Sequence, residues 1–275
     1  MLDPDVDSEY EGLFGVRTST QRLEGVSGQE WRYHVAGTGP HPLLVLSGSL
    51  GSSAVIAKLL SERLSATRVI VPEYAPVAAM DECLQALDRI LNEERIDRIA
   101  LYGGSFGGLI AQSWARRNPS RVTHLILSGT APPDPSRVKK HSRAIRILPL
   151  VPLPVIRFLM RLLLRVLLHG IDEPRWRQEY LRLIASLTRK DLRSRYQLAI
   201  DFDRDDQLPA LPASVNILIL AGDRDRVATG NIRNKLRHAY PQARSHVFKG
   251  AGHSPMITHS REWSRVVNDF LQRLS

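Results

Sequence analysis

The stretch of residues 99–107, IALYGGSFG, decides the fold of this chain. An apolar run leads into Gly103-Gly104-Ser105-Phe106-Gly107, and a helix-like run follows at residues 109–117. A Gly-x-Ser-x-Gly pattern between a strand and a helix is typical of a nucleophile elbow, a sharp turn that projects the serine hydroxyl. The turn crowds the backbone, so its neighbouring positions need residues without a Cβ atom. The motif predicts Ser105 as a nucleophile, with a plain strand-to-helix turn as the alternative.

Strands and helices alternate on both sides of this turn. Short apolar runs such as residues 43–46 and 217–220 suit strands that are buried on both faces of a parallel sheet. Alternating elements indicate right-handed βαβ units, so we expect an α/β fold with a mostly parallel central sheet flanked by helices. The first two predicted strands, residues 16–23 and 30–35, are expected to form an antiparallel edge.

The alternation breaks after the sixth predicted strand. Residues 131–213 open on Pro132-Pro133, hold no convincing strand and contain several helical patterns. We therefore predict a core formed by residues 1–130 and 214–275, with an all-helical cap, residues 131–213, inserted after the sixth strand. Ligands bind at the carboxyl edge of an open α/β sheet, so the cap is expected to lie over that edge.

A serine nucleophile needs a base, and the base needs a carboxylate that orients it. His253 lies in a loop of small residues between a predicted strand and a helix, a setting that the other eight histidines lack. Asp223 and Asp225 both follow the strand at residues 217–220. We predict Asp225 as the partner, because the second aspartate of such a turn usually points toward the histidine loop, and we keep Asp223 as the alternative. Ser105, Asp225 and His253 then follow the chain order expected for this fold.

The oxyanion of the reaction needs two backbone N–H donors. One is predicted to be Phe106, which follows the nucleophile. The other is predicted to be Ser49, with Leu50 as the alternative, in the small-residue loop after the strand at residues 43–46. Each such donor contributes about 3 kcal/mol of transition-state stabilisation.

These motifs resemble the α/β-hydrolase superfamily with an inserted cap, over residues 15–274. The resemblance implies the α/β-hydrolase fold and a serine hydrolase, in the first place a carboxylesterase that works through an acyl-enzyme and needs no cofactor. Thioester, lactone, acyl-transfer and C–C bond chemistries use the same triad, and a non-catalytic binding or adaptor protein on this scaffold is the alternative from another class. Many relatives carry His-Gly where this chain has Ser47-Gly48, so any role of that histidine is absent here. The loop at residues 47–49 and residues 68–82 also resemble the maspardin-type branch.

The basic charge of the chain belongs to one segment. The formal net charge is +10, and residues 131–200 carry 15 Lys/Arg against 5 Asp/Glu, which accounts for all of it. Nucleic-acid binding is not predicted, because these arginines lie on leucine-rich helices without an aromatic stacking platform. A basic cap is suited to steering anionic substrates instead.

One helix of the segment carries an arginine stripe. Residues 155–168 read VIRFLMRLLLRVLL, with Arg157, Arg161 and Arg165 at four-residue spacing. Burial of the apolar positions under the cap, contact with an anionic membrane surface and a homodimer contact all stay open as interpretations.

Composition narrows the remaining classes of function. Cys83 is the single cysteine, which excludes an intrachain disulfide framework, and nothing resembles clustered metal ligands. The acidic start of the chain is the reverse of a secretory signal, and no run of about eighteen apolar residues is present. We therefore expect a cytoplasmic protein without metal or cofactor that acts on a small-molecule ester with an apolar acyl group.

Overall fold

The computed structural model of the chain describes residues 19–25, 28–51, 56, 60, 62–64, 66–167, 174–205 and 210–272. Eight strands in these residues form one sheet: β1 (Ser19–Glu24), β2 (Glu30–Ala36), β3 (His41–Leu46), β4 (Thr67–Glu73), β5 (Ile99–Gly104), β6 (Val122–Ser128), β7 (Asn216–Gly222) and β8 (Arg244–Phe248). Their order is β1-β2-β4-β3-β5-β6-β7-β8. The β1–β2 and β2–β4 pairs are antiparallel and the other five pairs are parallel. The predicted sheet with its antiparallel edge is confirmed; residues 16–18 of the first predicted strand lie outside the described residues.

Helices cover both faces of this sheet. The described α-helices are α1 (Met80–Glu93), α2 (Phe106–Arg117), α3 (Val138–Ile147), α4 (Leu153–Leu167), α5 (Pro174–Ser186), α6 (Arg189–Arg204), α7 (Gly230–Ala239), α8 (Pro255–Thr258) and α9 (Ser260–Leu271). Alternate strand residues face opposite sides. Leu44 and Leu46 of β3 therefore pack into the layer that holds α1 and α2, whereas Leu43 and Val45 pack into the layer that holds α9. Burial on both faces explains the continuous apolar run of this strand.

Four of these helices, α3 to α6, lie between β6 and β7, and the described residues of that interval contain no strand. The last of them is fixed to the core by two long-range hydrogen bonds. The Val77 N–H donates to Ser194 Oγ at 2.9 Å, and the Met80 N–H donates to Asp201 Oδ2 at 2.9 Å. Both bonds hold α6 against the start of α1. The helical interval therefore has at least one rigid connection to the sheet layers.

The arginine-striped helix is α4, and it is not buried on both apolar flanks. Complete burial of its apolar positions, one of the interpretations left open above, is wrong, because one apolar face is partly exposed. We call it the exposed apolar face of α4; its side chains are 41–57% exposed and belong to Val155, Phe158, Leu159, Leu162 and Leu163. The opposite face packs, through Leu164, into a small cluster with α5 and α6. α4 is therefore amphipathic, with one apolar face packed and the other partly exposed within the described residues.

The arginines of α4 divide between two environments. Arg157 Nη2 donates to the Leu187 carbonyl oxygen at 2.9 Å, so this guanidinium ties α4 to the end of α5. Arg161 and Arg165 are exposed and border the exposed apolar face of α4. The stripe is therefore partly internal and partly a charged margin of an apolar surface.

The described residues contain neither a membrane-spanning helix nor a cluster of metal ligands. None of the helices there has the length and apolar character needed to cross a membrane. No three His, Cys, Asp or Glu side chains in that part of the chain are grouped as metal ligands. Cys83 is buried, and burial raises the pKa of its thiol to about 12, so it is held as an unreactive thiol.

Candidate active site

Ser105 occupies a sharp turn between β5 and α2. Its φ of 50° and ψ of −116° lie in a region that side chains other than glycine rarely adopt. The Ser105 N–H donates to the Ser128 carbonyl oxygen at 2.8 Å, which fixes the turn against the end of β6. A Cβ atom on Gly107 would lie 2.0 Å from the Leu46 carbonyl oxygen, and one on Gly103 would lie 2.6 Å from the backbone of α2. The glycines of the motif are therefore required by close backbone approach, as the sequence predicts.

His253 and Asp225 form a hydrogen-bonded pair at the same edge of the sheet. His253 Nδ1 lies 2.8 Å from Asp225 Oδ2, and the two side chains are 8% and 1% exposed. An ionised carboxylate only accepts hydrogen bonds, so the imidazole donates from Nδ1 and leaves Nε2 as an acceptor. That tautomer is the one that a general base needs.

The Asp225 carboxylate is further stabilised by backbone donors. The N–H groups of Val227 and Ala228 donate to Oδ1 at 2.7 and 3.0 Å. Burial raises the pKa of Asp225, but the hydrogen bond and charge of His253 and the two amides lower it, and the resulting pKa lies below its usual value. The carboxylate is therefore ionised at neutral pH, although it is buried.

Asp223, the alternative carboxylate, makes a different contact. Its Oδ1 accepts a hydrogen bond from the Gly250 N–H at 2.7 Å. The Arg224 N–H donates to the Ala251 carbonyl oxygen at 3.0 Å in the same region. Asp223 therefore braces the backbone that leads into the His253 loop, whereas Asp225 meets the imidazole itself.

Ser105 and His253 line a common cavity of about 220 Å³. A second cavity of about 430 Å³ also reaches Ser105. Four residues line both of them: Ser49, Ser105, Leu163 and Val227. Ser105 therefore lies where two spaces meet, an arrangement that offers separate space to the two halves of a substrate. We call them the smaller and the larger cavity.

Both cavities are lined mainly by apolar side chains. The smaller cavity contacts Val45, Ile56, Tyr102, Tyr180, Met256 and Ile257, among others. The larger contacts Leu109, Leu148, Ile156, Met160, Leu192 and Ala199, together with Arg137, His141 and Arg195. Mostly apolar walls with a few polar groups are characteristic of small-molecule sites.

The predicted oxyanion donors lie on both sides of Ser105. Phe106 begins α2, so its N–H is one of the amides at a helix start that lack an intrahelical acceptor. Ser49 lies in a turn closed by the Gly51 N–H, which donates to the Gly48 carbonyl oxygen at 3.0 Å. A Cβ atom on Gly48 would be 3.7 Å from Ser105 Cβ, so the turn runs directly past the nucleophile. Leu50, the alternative donor, lines only the smaller of the two cavities.

Several polar residues of the cavities were not predicted from the sequence, and Tyr180 and Arg195 are two of them. Tyr180 lines the smaller cavity and hydrogen-bonds with Ser254, and burial raises the pKa of its hydroxyl to about 12. Arg195 lines the larger cavity, and its Nε and Nη1 are buried without an acceptor among the described residues. No local pattern distinguishes either residue, because each reaches the site only through the packing of its helix.

Comparison with known proteins identifies the family of the chain. A model of the family described as "Alpha/beta hydrolase family" matches residues 25–266. The chain is 26% identical over 280 residues to a 2-hydroxy-6-oxo-2,4-heptadienoate hydrolase of Pseudomonas putida, covering 94% of this chain and 99% of that protein. It is 27% identical to a 2-hydroxy-6-oxononadienedioate/2-hydroxy-6-oxononatrienedioate hydrolase of Cupriavidus pinatubonensis, covering 68% of this chain and 66% of that protein. The match thus spans about two thirds of that relative's length.

Solved structures establish the fold. A hydrolase from Pseudomonas aeruginosa superposes with a TM-score of 0.78 at 17% identity, covering 92% of this chain and 98% of that one. A thermophilic esterase from Thermogutta terrifontis gives 0.75 at 23% identity, covering 93% and 98%. A meta-cleavage product hydrolase from Pseudomonas fluorescens gives 0.71 at 21% identity, with the same coverage.

Proposed function

The chain belongs to the alpha/beta hydrolase family, and on that premise we propose that it is a carboxylesterase with Ser105 as nucleophile, His253 as base and Asp225 as orienting carboxylate. One observation carries the proposal. A buried, ionised Asp225 holds His253 in the base tautomer, on the wall of a cavity that also contains the strained Ser105 turn. Nucleophile, base and orienting group on one cavity are the parts that acyl transfer requires.

The proposed reaction has two halves. His253 Nε2 takes the proton of Ser105 Oγ while Oγ bonds to the ester carbonyl carbon, and the carbonyl electron pair becomes an oxyanion. The oxyanion accepts hydrogen bonds from the N–H groups of Phe106 and Ser49. Collapse breaks the bond to the alcohol oxygen, which leaves with the proton from His253. Water then attacks the acyl-enzyme in the same way, which releases the carboxylic acid and regenerates free Ser105.

The apolar walls support an ester with a hydrophobic acyl group. We propose that residues 131–213 act as the cap of this site, because Leu148, Ile156 and Met160 of that interval line the larger cavity. Burial of each additional methylene contributes about 0.8 kcal/mol. The acyl chain should therefore raise the specificity constant with length until the cavity is full.

Covalent labelling tests the nucleophile. A fluorophosphonate probe should label the wild-type chain, and Ser105→Ala should abolish the label. Ser254→Ala is the matched control, because Ser254 lines the same cavity beside His253 and should remain compatible with labelling at Ser105. Labelling that persists in Ser105→Ala contradicts the assignment. A wild-type chain that no such probe labels favours the non-catalytic binding protein.

A second candidate function is the cleavage of a C–C bond next to a ketone. It is favoured by the relatives from Pseudomonas putida and Cupriavidus pinatubonensis, whose names describe hydrolases of hydroxy-oxo-dienoates. The same triad hydrolyses either kind of substrate. Side-by-side assays with 2-hydroxy-6-oxo-2,4-heptadienoate and with p-nitrophenyl butyrate decide between them by the larger kcat/KM.

The exposed apolar face of α4 supports a further contact, with an anionic membrane surface. Cations border it, among them Arg161 and Arg165. The acidic side chains that the structure describes on α3 to α6 are all half-buried or buried, so the exposed charges of these helices are positive. Apolar side chains beside exposed cations are the composition of an interfacial helix. A homodimer through the same face is the competing outcome, and a cytoplasmic location stays a prediction.

A further inference from the structure

Arg195 lines the larger cavity from α6, a helix that is capped at its N-terminus and hydrogen-bonded to the core. α6 begins with a capping box, in which Thr188 Oγ1 accepts from the Asp191 N–H and Asp191 Oδ2 accepts from the Thr188 N–H. The hydrogen bonds from Val77 and Met80 described above hold the same helix to the core. A guanidinium on so rigid a helix has its position set in advance, as a binding group requires.

The Arg195 guanidinium has two buried nitrogen atoms whose hydrogen bonds are unmet among the residues that the structure describes. Nε and Nη1 are buried and have no hydrogen-bond acceptor in that part of the chain. Asp191, one turn earlier, interacts favourably with this charge, but its Oδ2 accepts hydrogen bonds from Thr188. The nearby Tyr74 hydroxyl donates to the Ser47 carbonyl oxygen at 2.9 Å. Burial lowers the pKa of Arg195, yet a guanidinium stays protonated at neutral pH. A buried guanidinium with unmet hydrogen bonds is unfavourable, and an anion that enters the cavity offsets this penalty.

The other two basic side chains of the larger cavity, Arg137 and His141, both lie beside the Asp203 carboxylate. Arg137 Nη2 donates to Asp203 Oδ1. His141 Nδ1 lies 3.4 Å from Asp203 Oδ2. Arg195 is therefore the basic side chain of this cavity that has no carboxylate within ion-pair distance among the described residues.

The guanidinium also lies close to the reacting centre. A Cβ atom on Gly51 would be 3.7 Å from Arg195 Nη2, just as one on Gly48 would be 3.7 Å from Ser105 Cβ. Gly48 and Gly51 are the two ends of one turn, and the ends of a β-turn lie within about 7 Å of each other. Nucleophile and guanidinium thus flank opposite ends of the loop that carries the proposed oxyanion donor Ser49.

We propose that Arg195 binds a carboxylate on the substrate, so that the preferred esters carry an anionic group several bonds from the reacting carbonyl. The planar guanidinium matches a carboxylate with two parallel hydrogen bonds. The apolar walls of the larger cavity would then hold the carbon chain that separates the carboxylate from the ester. This inference rests on the proposed esterase function.

Paired substrates test the proposal. p-Nitrophenyl hexanoate and the p-nitrophenyl half-ester of adipate have the same carbon chain and differ by a terminal carboxylate. Wild type should prefer the half-ester in kcat/KM, and Arg195→Gln should reduce that preference by on the order of 10- to 100-fold, since hydrogen bonds to charged groups are among the strong ones. Arg193→Gln is the matched control, because Arg193 is exposed on the same helix and its substitution removes the same charge from the solvent-facing side. The preference of this variant for the half-ester should stay within about twofold of that of the wild type.

The outcomes separate binding by Arg195 from a structural role and from steering by surface charge. An equal loss on both esters in Arg195→Gln would give the residue a merely structural role and overturn the proposal. If Arg193→Gln loses as much of the preference for the half-ester as Arg195→Gln does, and if 0.5 M KCl abolishes that preference in the wild type, the preference comes from steering by surface charge. That result would also overturn the proposal. The leaving-group side is tested in parallel with 4-carboxyphenyl and phenyl hexanoate; no dependence on Arg195 in either pair contradicts the subsite.

A binding measurement keeps this proposal distinct from the esterase proposal. Adipate should bind Ser105→Ala protein in calorimetric titration, and the Ser105→Ala/Arg195→Gln double variant should bind at least tenfold more weakly. If the wild-type chain hydrolyses neither ester but adipate binding depends on Arg195, the esterase function fails and the anion subsite stands. If esters are hydrolysed without any dependence on Arg195, the reverse holds.

Discussion

The carboxyl edge of the sheet and the helices between β6 and β7 differ in whether their buried polar groups have hydrogen-bond partners. At the sheet edge, Asp225 is satisfied by His253 and two amides, and Asp223 is satisfied by the Gly250 amide. In the helical interval, Nε and Nη1 of Arg195 are buried without an acceptor among the described residues, and one face of α4 leaves large apolar side chains partly exposed. Groups that perform chemistry need fixed positions, whereas groups that recognise a ligand or surface are completed only when it is bound. We therefore propose that the sheet edge performs the chemistry and that the helices bind the ligand or surface.

The largest effect should come from the sheet edge. Ser105→Ala and His253→Ala should each lower kcat on p-nitrophenyl butyrate by at least about 10⁴-fold, because either change removes the nucleophile–base unit. Circular dichroism and the thermal midpoint should change little, since neither side chain belongs to the two main core layers. Activity above about one per cent of wild type in either variant contradicts the triad.

The two aspartates provide the next test within the same edge. Asp225→Asn should lower kcat by on the order of 10³- to 10⁴-fold, because an amide favours the wrong tautomer of His253. Asp223→Asn should lower it by less than about tenfold, because its partner is the Gly250 amide, which an asparagine oxygen also accepts. Steady-state kinetics on one ester measure both. A larger loss in Asp223→Asn would show that the carboxylates were assigned in the wrong order.

The helical interval should produce smaller, graded effects. kcat/KM on p-nitrophenyl esters should rise from acetyl through butyryl to hexanoyl by a factor of about 2 to 4 per methylene. Full burial of a methylene contributes about 0.8 kcal/mol, and a partly open cavity retains only part of this free energy. Met160→Ala, which shortens a side chain of the larger cavity, should shift the best chain length upward. A preference for acetyl esters would contradict the apolar acyl site.

The same contrast explains what the sequence predicts and what it does not. Ser105 and His253 stand in local patterns, and the turn at residues 221–227 places Asp225 by its own geometry, so neighbouring residues contain the information. Arg195 reaches the cavity through the packing of α6, a helix that is bonded to the core by residues more than 100 positions earlier in the chain. The apolar stripe of α4 is equally compatible with burial and exposure, so the sequence left its environment open. Long-range packing decides both, and no local pattern encodes it.

The smallest effect concerns the exposed apolar face of α4, where the contrast with the sheet edge is sharpest. The protein should sediment with vesicles that contain phosphatidylserine and less with phosphatidylcholine alone, and 0.5 M KCl should weaken the binding because exposed charges are screened beyond a few ångströms at that salt. A Phe158→Ser/Leu162→Ser variant should lose most of this binding, and an Arg161→Gln/Arg165→Gln variant should lose its preference for the anionic lipid.

Val247→Ser is the matched control for these variants of α4, since Val247 is also exposed but lies on β8. Esterase activity on soluble butyrate esters should be unchanged in all of them, because these side chains lie outside the lining of both cavities. Absence of vesicle binding, together with a dimer in size exclusion that the Phe158→Ser/Leu162→Ser variant dissociates, would assign the face to a second copy of the chain instead.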